Sequence, residues 1–222
     1  MACGRSFEVE PCSAKPAQSS GITSRSGHKI VKHLAFVLFA ASSLVASPAV
    51  AQSPGTTPGN DFVEAVKKRD GDKAIGILQA HPNGIVDTKD GDGNTGLIIA
   101  ISRSDDTWTG YLLNNGADPN LGGKGGDTPL IAASRVGFLQ AVDWLIAMGA
   151  RVDGANRMGE TPLIIAVQQH ELPIVRKLLD SGANPDKSDA AAGYSARDYA
   201  KRDTRSREIL KMIEDRKPAP AK

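Results

Sequence analysis

Gly125–Arg157 reads GGDTPLIAASRVGFLQAVDWLIAMGARVDGANR, and the chain on either side of it is written to the same plan. Thr95, Thr128 and Thr161 stand 33 residues apart, and Ser195 follows at 34. Ala100, Ala133, Ala166 and Ala200 keep the same steps, and Gly116, Gly149 and Gly182 are again separated by 33. Three ladders of different residue types sharing one period are the signature of a stacked repeat array.

The residue types explain the period. Thr before Pro129 or Pro162 suits a helix start, because Thr caps a free backbone N–H and Pro presets φ at the first helical position. Leu130-Ile131-Ala132-Ala133 supplies a short apolar helix with small residues for close approach. A break near Gly137 leads to a second helix, Leu139–Met148, with Val142, Leu145 and Ile146 as a stripe at helical spacing. Gly149 ends it, since Gly tolerates the left-handed turn of a helix C-cap. An Asp/Asn/Gly-rich hairpin-like loop then opens the next unit. One such helix pair has too little core to stand alone, so stacking must bury it between neighbours.

These residues resemble the ankyrin repeat, whose pattern is roughly G-x-T-P-L-H-x-A, an LL pair, then G-A-D-x-N. Gly126-Asp127-Thr128-Pro129-Leu130 and Gly159-Glu160-Thr161-Pro162-Leu163 match its first half. Leu112-Leu113 with Gly116-Ala117-Asp118-Pro119-Asn120, and Leu178-Leu179 with Gly182-Ala183-Asn184-Pro185-Asp186, match its second. The family's usual His is Ile98, Ile131 and Ile164 here, and Gly96 stands in place of one Pro. The resemblance implies an all-α ankyrin-repeat solenoid of about five helix-turn-helix units, with a greasier seam where Ile replaces His. It covers about 60–215.

Composition limits the partners. The 222 residues carry a formal net charge of +2. Residues 52–222 hold 22 Lys/Arg against 23 Asp/Glu, a balance of −1, so the basic excess lies in the first 51 residues. A near-neutral domain is not built for nonspecific nucleic-acid binding. Cys3 and Cys12 are the only cysteines, so disulfides, thiolate metal sites and Cys nucleophiles are excluded beyond residue 51.

Along the chain, residues 1–27 are polar and Ser-rich, without periodicity. His28, Lys29, Lys32 and His33 precede the apolar run 34–46, which a Pro48 break separates from Ala49-Val50-Ala51. Basic, apolar, small-x-small is the order of a secretory signal peptide cleaved after Ala51. The run is short for a membrane span, which needs about 20 residues. We therefore expect a cleaved signal rather than a retained anchor, and a periplasmic or secreted bacterial product. Because the signal begins late, translation is expected to start near Ile30 or Val31; a precursor peptide containing Cys3 or Cys12 would contradict that.

Residues 52–59 read as a flexible leader. A capping unit follows at 60–89, with Asp61 as helix cap, then repeats at 90–122, 123–155 and 156–188, a charged C-terminal cap at 189–215 and a disordered tail at 216–222.

Candidate chemistry is sparse. Asp90-Gly91-Asp92-Gly93-Asn94 opens like a calcium loop, but Thr95 stands where that loop wants Gly and Ile101 where it wants Glu. Gly122–Thr128 suggests a phosphate-binding loop, yet lacks Gly-Lys-Ser/Thr entering a helix after a strand; a flexible, slightly long hairpin tip fits it better. His81 and His170 belong to different units, and no nucleophile elbow or His pair accompanies them. No catalytic residue, metal ligand or cofactor is assigned. Trp108, Tyr111 and Trp144 on second helices read as fillers between repeats rather than a stacking site. Lys201, Arg202, Arg205, Arg207 and Lys211 alternate with acids, the mark of a solvated helix face.

Surface recognition remains. Stacked repeats leave an extended concave face of loop tips and first-helix ends, and in the ankyrin family partners generally dock there. Carried over by position, the partner-binding candidates are Asp92, Asn94, Ser102 and Arg103 in the first repeat. Lys124, Asp127, Arg135 and Val136 follow in the second, and Arg157, Met158, Glu160, Gln168 and Gln169 in the third. Arg103, Arg135 and Met158 are the expected anchors, since Arg is favoured at hot spots and Met adapts its shape. The expected product is a monomeric, non-catalytic module for an unidentified protein partner, without nucleic acid and without a membrane span once the signal is removed. The competing reading is a small-ligand-binding or hydrolytic protein using the same face. Intact-mass analysis of the exported protein should give a mature chain beginning at Gln52; a chain retaining residues 34–46 would mean that the segment stays as an anchor.

Overall fold

The computed structural model describes residues 57–82 and 84–216. The signal segment 1–51, most of the leader and the tail after Arg216 lie outside the described residues. Ten helices pair into five helix-turn-helix units: α1 (Pro58–Lys68) with α2 (Gly71–Ala80), α3 (Gly96–Ser102) with α4 (Asp106–Asn114), α5 (Pro129–Val136) with α6 (Leu139–Ala147), α7 (Pro162–Gln168) with α8 (Leu172–Asp180), and α9 (Ala196–Arg202) with α10 (Arg207–Glu214). No strand occurs among the described residues. Two isolated antiparallel bridges, Lys89 with Thr95 and Ser188 with Ser195, are the only β pairing among these residues. The described residues form an all-α solenoid.

The threonine ladder does what its chemistry predicts. The hydroxyls of Thr95, Thr128, Thr161 and Ser195 each accept the backbone N–H three residues on, at 3.2–3.3 Å. Each thus satisfies one donor that a helix start leaves unpaired. Thr57 does the same for α1 through Asn60. This corrects the expectation that Asp61 caps that helix: Pro58 takes the first helical position, so the end of the leader, Pro58 and Gly59, is already helical.

First helices stack on first helices, α1 on α3, α5, α7 and α9 in file, and second helices α4, α6, α8 and α10 line up behind them. The three middle helices of the inner row, α3, α5 and α7, are buried on nearly every side. Gly96–Ile101, Pro129–Ser134 and Leu163–Val167 form unbroken buried runs. Only neighbours on both flanks plus a second helix behind can cover such a helix. Ile98, Ile131 and Ile164, at the position where His is usual, are 5%, 0% and 0% exposed. The greasier seam is therefore real. Trp144 reaches back to lie 3.8 Å from the position of a Cβ on Gly110, and Trp108 lies 3.6 Å from that of Gly71, so both indoles fill space against the preceding unit.

Polar rivets join the units on the outer-loop side. Asp87, Asn120 and Asp153, one period apart, each accept a backbone N–H of the following unit, from Asp118 (3.0 Å), Arg151 (2.7 Å) and Asn184 (2.9 Å). Asn120 also donates to the Gly149 carbonyl at 3.2 Å. At the turn inside the first four units, Arg69, Ser104, Gly137 and His170 share left-handed backbone, with φ of 59°, 52°, 73° and 62°. Only glycine adopts that without cost.

Because each rivet serves a neighbour rather than its own helix, Asn120→Ala should lower unfolding stability by about 1 kcal/mol. Urea denaturation monitored by tryptophan fluorescence measures this, and an unchanged midpoint would mean that the bond is replaced by water at no cost.

Candidate functional site: the concave groove

Loop tips form one wall of the concave face, and each is built around one side chain. Asp90 accepts the N–H groups of Asp92 (2.9 Å) and Asn94 (2.8 Å). Asn156 accepts those of Met158 (2.9 Å) and Glu160 (3.0 Å). Asp189 accepts those of Ala192 (2.8 Å) and Gly193 (2.9 Å). These residues share one register, and the second tip carries Gly123 there instead. The reason is steric: a Cβ on Gly123 would lie 2.7 Å from both Asn94 Oδ1 and Ile98 Cδ1. Asn94 Oδ1 takes over by accepting the Lys124 N–H at 3.0 Å. The Gly122–Thr128 segment is therefore no slack, lengthened tip. It runs six residues from Gly123 to Thr128, like Asp90 to Thr95, and closes in a 3-10 turn at Lys124–Gly126.

The tips are also tied to one another. The Arg157 N–H donates to the Gly125 carbonyl (3.0 Å) and the Ala190 N–H to the Met158 carbonyl (2.8 Å). Asn156 Nδ2 donates to Asp127 Oδ1 and to Glu160 Oε2, both at 2.8 Å. Such cross-bonds make the wall a rigid strip rather than a row of independent loops.

Between this wall and the C-terminal ends of the inner helices lies a groove of about 500 Å3. It gathers Asp92, Asn94, Ser102, Arg103, Lys124, Asp127, Arg135 and Val136 from the sequence candidates, and adds Lys67, Asp90, Ile98, Ile99 and Ala132. Arg157, Met158, Glu160, Gln168 and Gln169 belong to the next unit and do not line it. Met158 nevertheless stands on its tip 53% exposed. The floor residues were missed because their buried runs read only as core. Lys67 was missed because α1 is 11 residues long against 7 for α3, so its end falls off the 33-residue ladder.

Charge in the groove is mostly paired. Lys67 Nζ lies 2.8 Å from Asp90 Oδ2. The hydrogen bond to Asp90 raises the ammonium's pKa. Burial opposes ionisation of Asp90, but the Lys67 ammonium and the tip N–H groups outweigh it and hold its carboxyl below the ordinary value. Arg135 pairs with Asp127 at 2.8 Å. Arg103 differs. Its guanidinium donates to the carbonyls of Lys67 (2.7 Å) and Val66 (3.4 Å), closing the end of α1. It is a staple between units as well as a groove residue.

The family described as ankyrin repeats (3 copies) matches residues 62–153 and 97–189, more than half of the chain. The chain belongs to the ankyrin-repeat family. No curated protein matches it. Ankyrin repeats are generally protein–protein interaction modules, and the family is typically non-catalytic. No helix among the described residues is long and apolar enough to cross a membrane.

Ionisable residues also close the C-terminal end of the ankyrin stack. Asp189, 6% exposed, accepts the Tyr199 hydroxyl at 2.6 Å. That bond pushes the phenol up to about 12. His170 Nε2 lies 2.6 Å from Asp203 Oδ2, joining the turn of the third repeat to that of the C-terminal cap. The Arg205 N–H and guanidinium, and then His170, bring the Asp203 carboxyl down to about 2. These bonds tie the third repeat and the C-terminal cap together.

Arg103→Ala should cost about 1 kcal/mol by freeing the carbonyls at the end of α1. Lys124→Ala, whose ammonium is exposed and unpaired among the described residues, should stay within about 0.5 kcal/mol. Paired urea titrations compare them, and equal midpoints would remove the staple role of Arg103.

Proposed function

We propose that this ankyrin-repeat chain is an exported, non-catalytic module that holds a partner protein in its concave groove. The observation that carries the reading is the groove's construction. Buried backbone and apolar floor (Ile98, Ile99, Ala132) lie between two polar walls whose geometry is set by bonds within and between units. A preformed polar-rimmed surface of this kind loses little entropy when a partner docks. Export rests on the basic, apolar, small-x-small order of residues 28–51, which supports a periplasmic or extracellular location. A monomeric chain suits it, because the solenoid's two ends are closed by its own caps.

The chemistry of the C-terminal end supports this reading. In α9 only Ala196 and Ala200 are buried, and Lys201 and Arg202 face solvent. Such a cap offers no apolar face for another unit to extend the stack.

A photo-crosslinking amino acid at Val136, on the groove rim, should capture a discrete protein in intact cells. The same probe at Lys73, exposed on α2, serves as control. Identical adducts from both positions, or none from Val136, would overturn the concave-face reading.

A further inference from the structure

The charges in the groove are not equally available, and the difference points to the chemistry of the occupant. Asp90 is engaged by Lys67 and two tip N–H groups, and Asp127 by Arg135 and Asn156. Arg103, by contrast, donates to neutral carbonyl oxygens, and no carboxylate pairs with it among the described residues. Lys124 uses its backbone N–H on Asn94, while its exposed side chain has no partner among the described residues. The two cations stand on opposite walls, Arg103 at a helix end and Lys124 on a tip, with Ile99 and Ala132 on the floor and Val136 on the rim of the same groove.

The pattern extends past the groove. The last two residues of α1, α3, α5, α7 and α9 include Lys67, Lys68, Arg135, Lys201 and Arg202, and not one Asp or Glu. Cations at helix C-terminal ends are favoured by the helix dipole, which accounts for that row but not for Lys124, which lies on a tip.

We propose that the groove receives an extended acidic segment of a partner protein, with carboxylates meeting Arg103 and Lys124 around an apolar side chain seated on Ile99, Ala132 and Val136. This rests on the reading that the concave face is the interface. A nucleic acid fits the site poorly. Its phosphates follow one another without gaps, and Asp90, Asp92 and Asp127 line the same groove. A peptide can place its carboxylates at the two cations and keep them away from those acids.

The test pans a random 12-residue peptide library, displayed on phage, against the immobilised full-length chain. Selected peptides should combine Asp or Glu with an apolar residue. A synthetic copy should bind Lys124→Glu about tenfold more weakly, weaken again in 1 M salt, and bind Asp92→Asn at least as well as wild type. Lys124→Glu removes no bond that the fold uses, and its urea midpoint checks this. Selected peptides without acidic enrichment, equal binding to Lys124→Glu, no selection above background, or competition by single-stranded DNA would each overturn the inference. Peptides that crosslink to the probe at Val136 but carry no acidic residues overturn only the acidic occupant. Acidic peptides that crosslink elsewhere overturn the concave interface as well.

Discussion

An inner helix that is apolar all round cannot exist alone in water, and the whole molecule follows from that. Leu163–Val167 is buried without interruption, so α7 needs α5 on one side, α9 on the other and α8 behind. The same holds for α3 and α5. Each unit is therefore stable only through its neighbours, and the fold propagates as a line rather than closing into a globule. The outermost helices must break the rule. α9 buries only Ala196 and Ala200 and carries Arg197, Asp198, Lys201 and Arg202 on the rest of its surface.

This constraint also decides where function can sit. With the sides of the inner helices consumed by packing, only their ends and the tips before them reach solvent on the concave side. The tips have been made stiff by hydrogen bonds that reach across units, such as the Arg157 N–H to the Gly125 carbonyl. A groove between stiff tips and helix ends is a permanent feature of the stack. Residues such as Asn94 and Arg103 serve two ends at once: they hold adjacent units together and form the wall that a partner would meet. Substitutions there would disturb the stack itself, whereas the Lys124 side chain makes no such bond among the described residues.

The polar residues of the repeat are correspondingly specialised by place. Hydroxyls start the inner helices, Asp and Asn rivets join the outer loops, and one Asp or Asn folds each tip. Gly123 is the informative exception. The tip loses its own folding side chain because the preceding unit's Asn94 occupies the space and supplies the bond. A repeat array can thus vary one position when a neighbour compensates.

The fold was legible from the sequence because its determinants are local and periodic. Thr128 before Pro129, the apolar run after it and Gly149 at the next helix end act within one unit, and repetition at 33 residues makes each visible several times over. The positions of Asp92, Lys124, Asp127 and Arg135 in one groove could be read for the same reason, since equal steps along the chain place residues at equal points of successive units. What the period could not convey was which side chains bond to which across units. The Arg103 guanidinium on the end of α1, Lys67 on Asp90, and His170 on Asp203 depend on distances set by stacking and, for α1, on a helix longer than the others. Those contacts join residues 23 to 37 positions apart. Local propensity carries no information about them, so only the packed structure decides them.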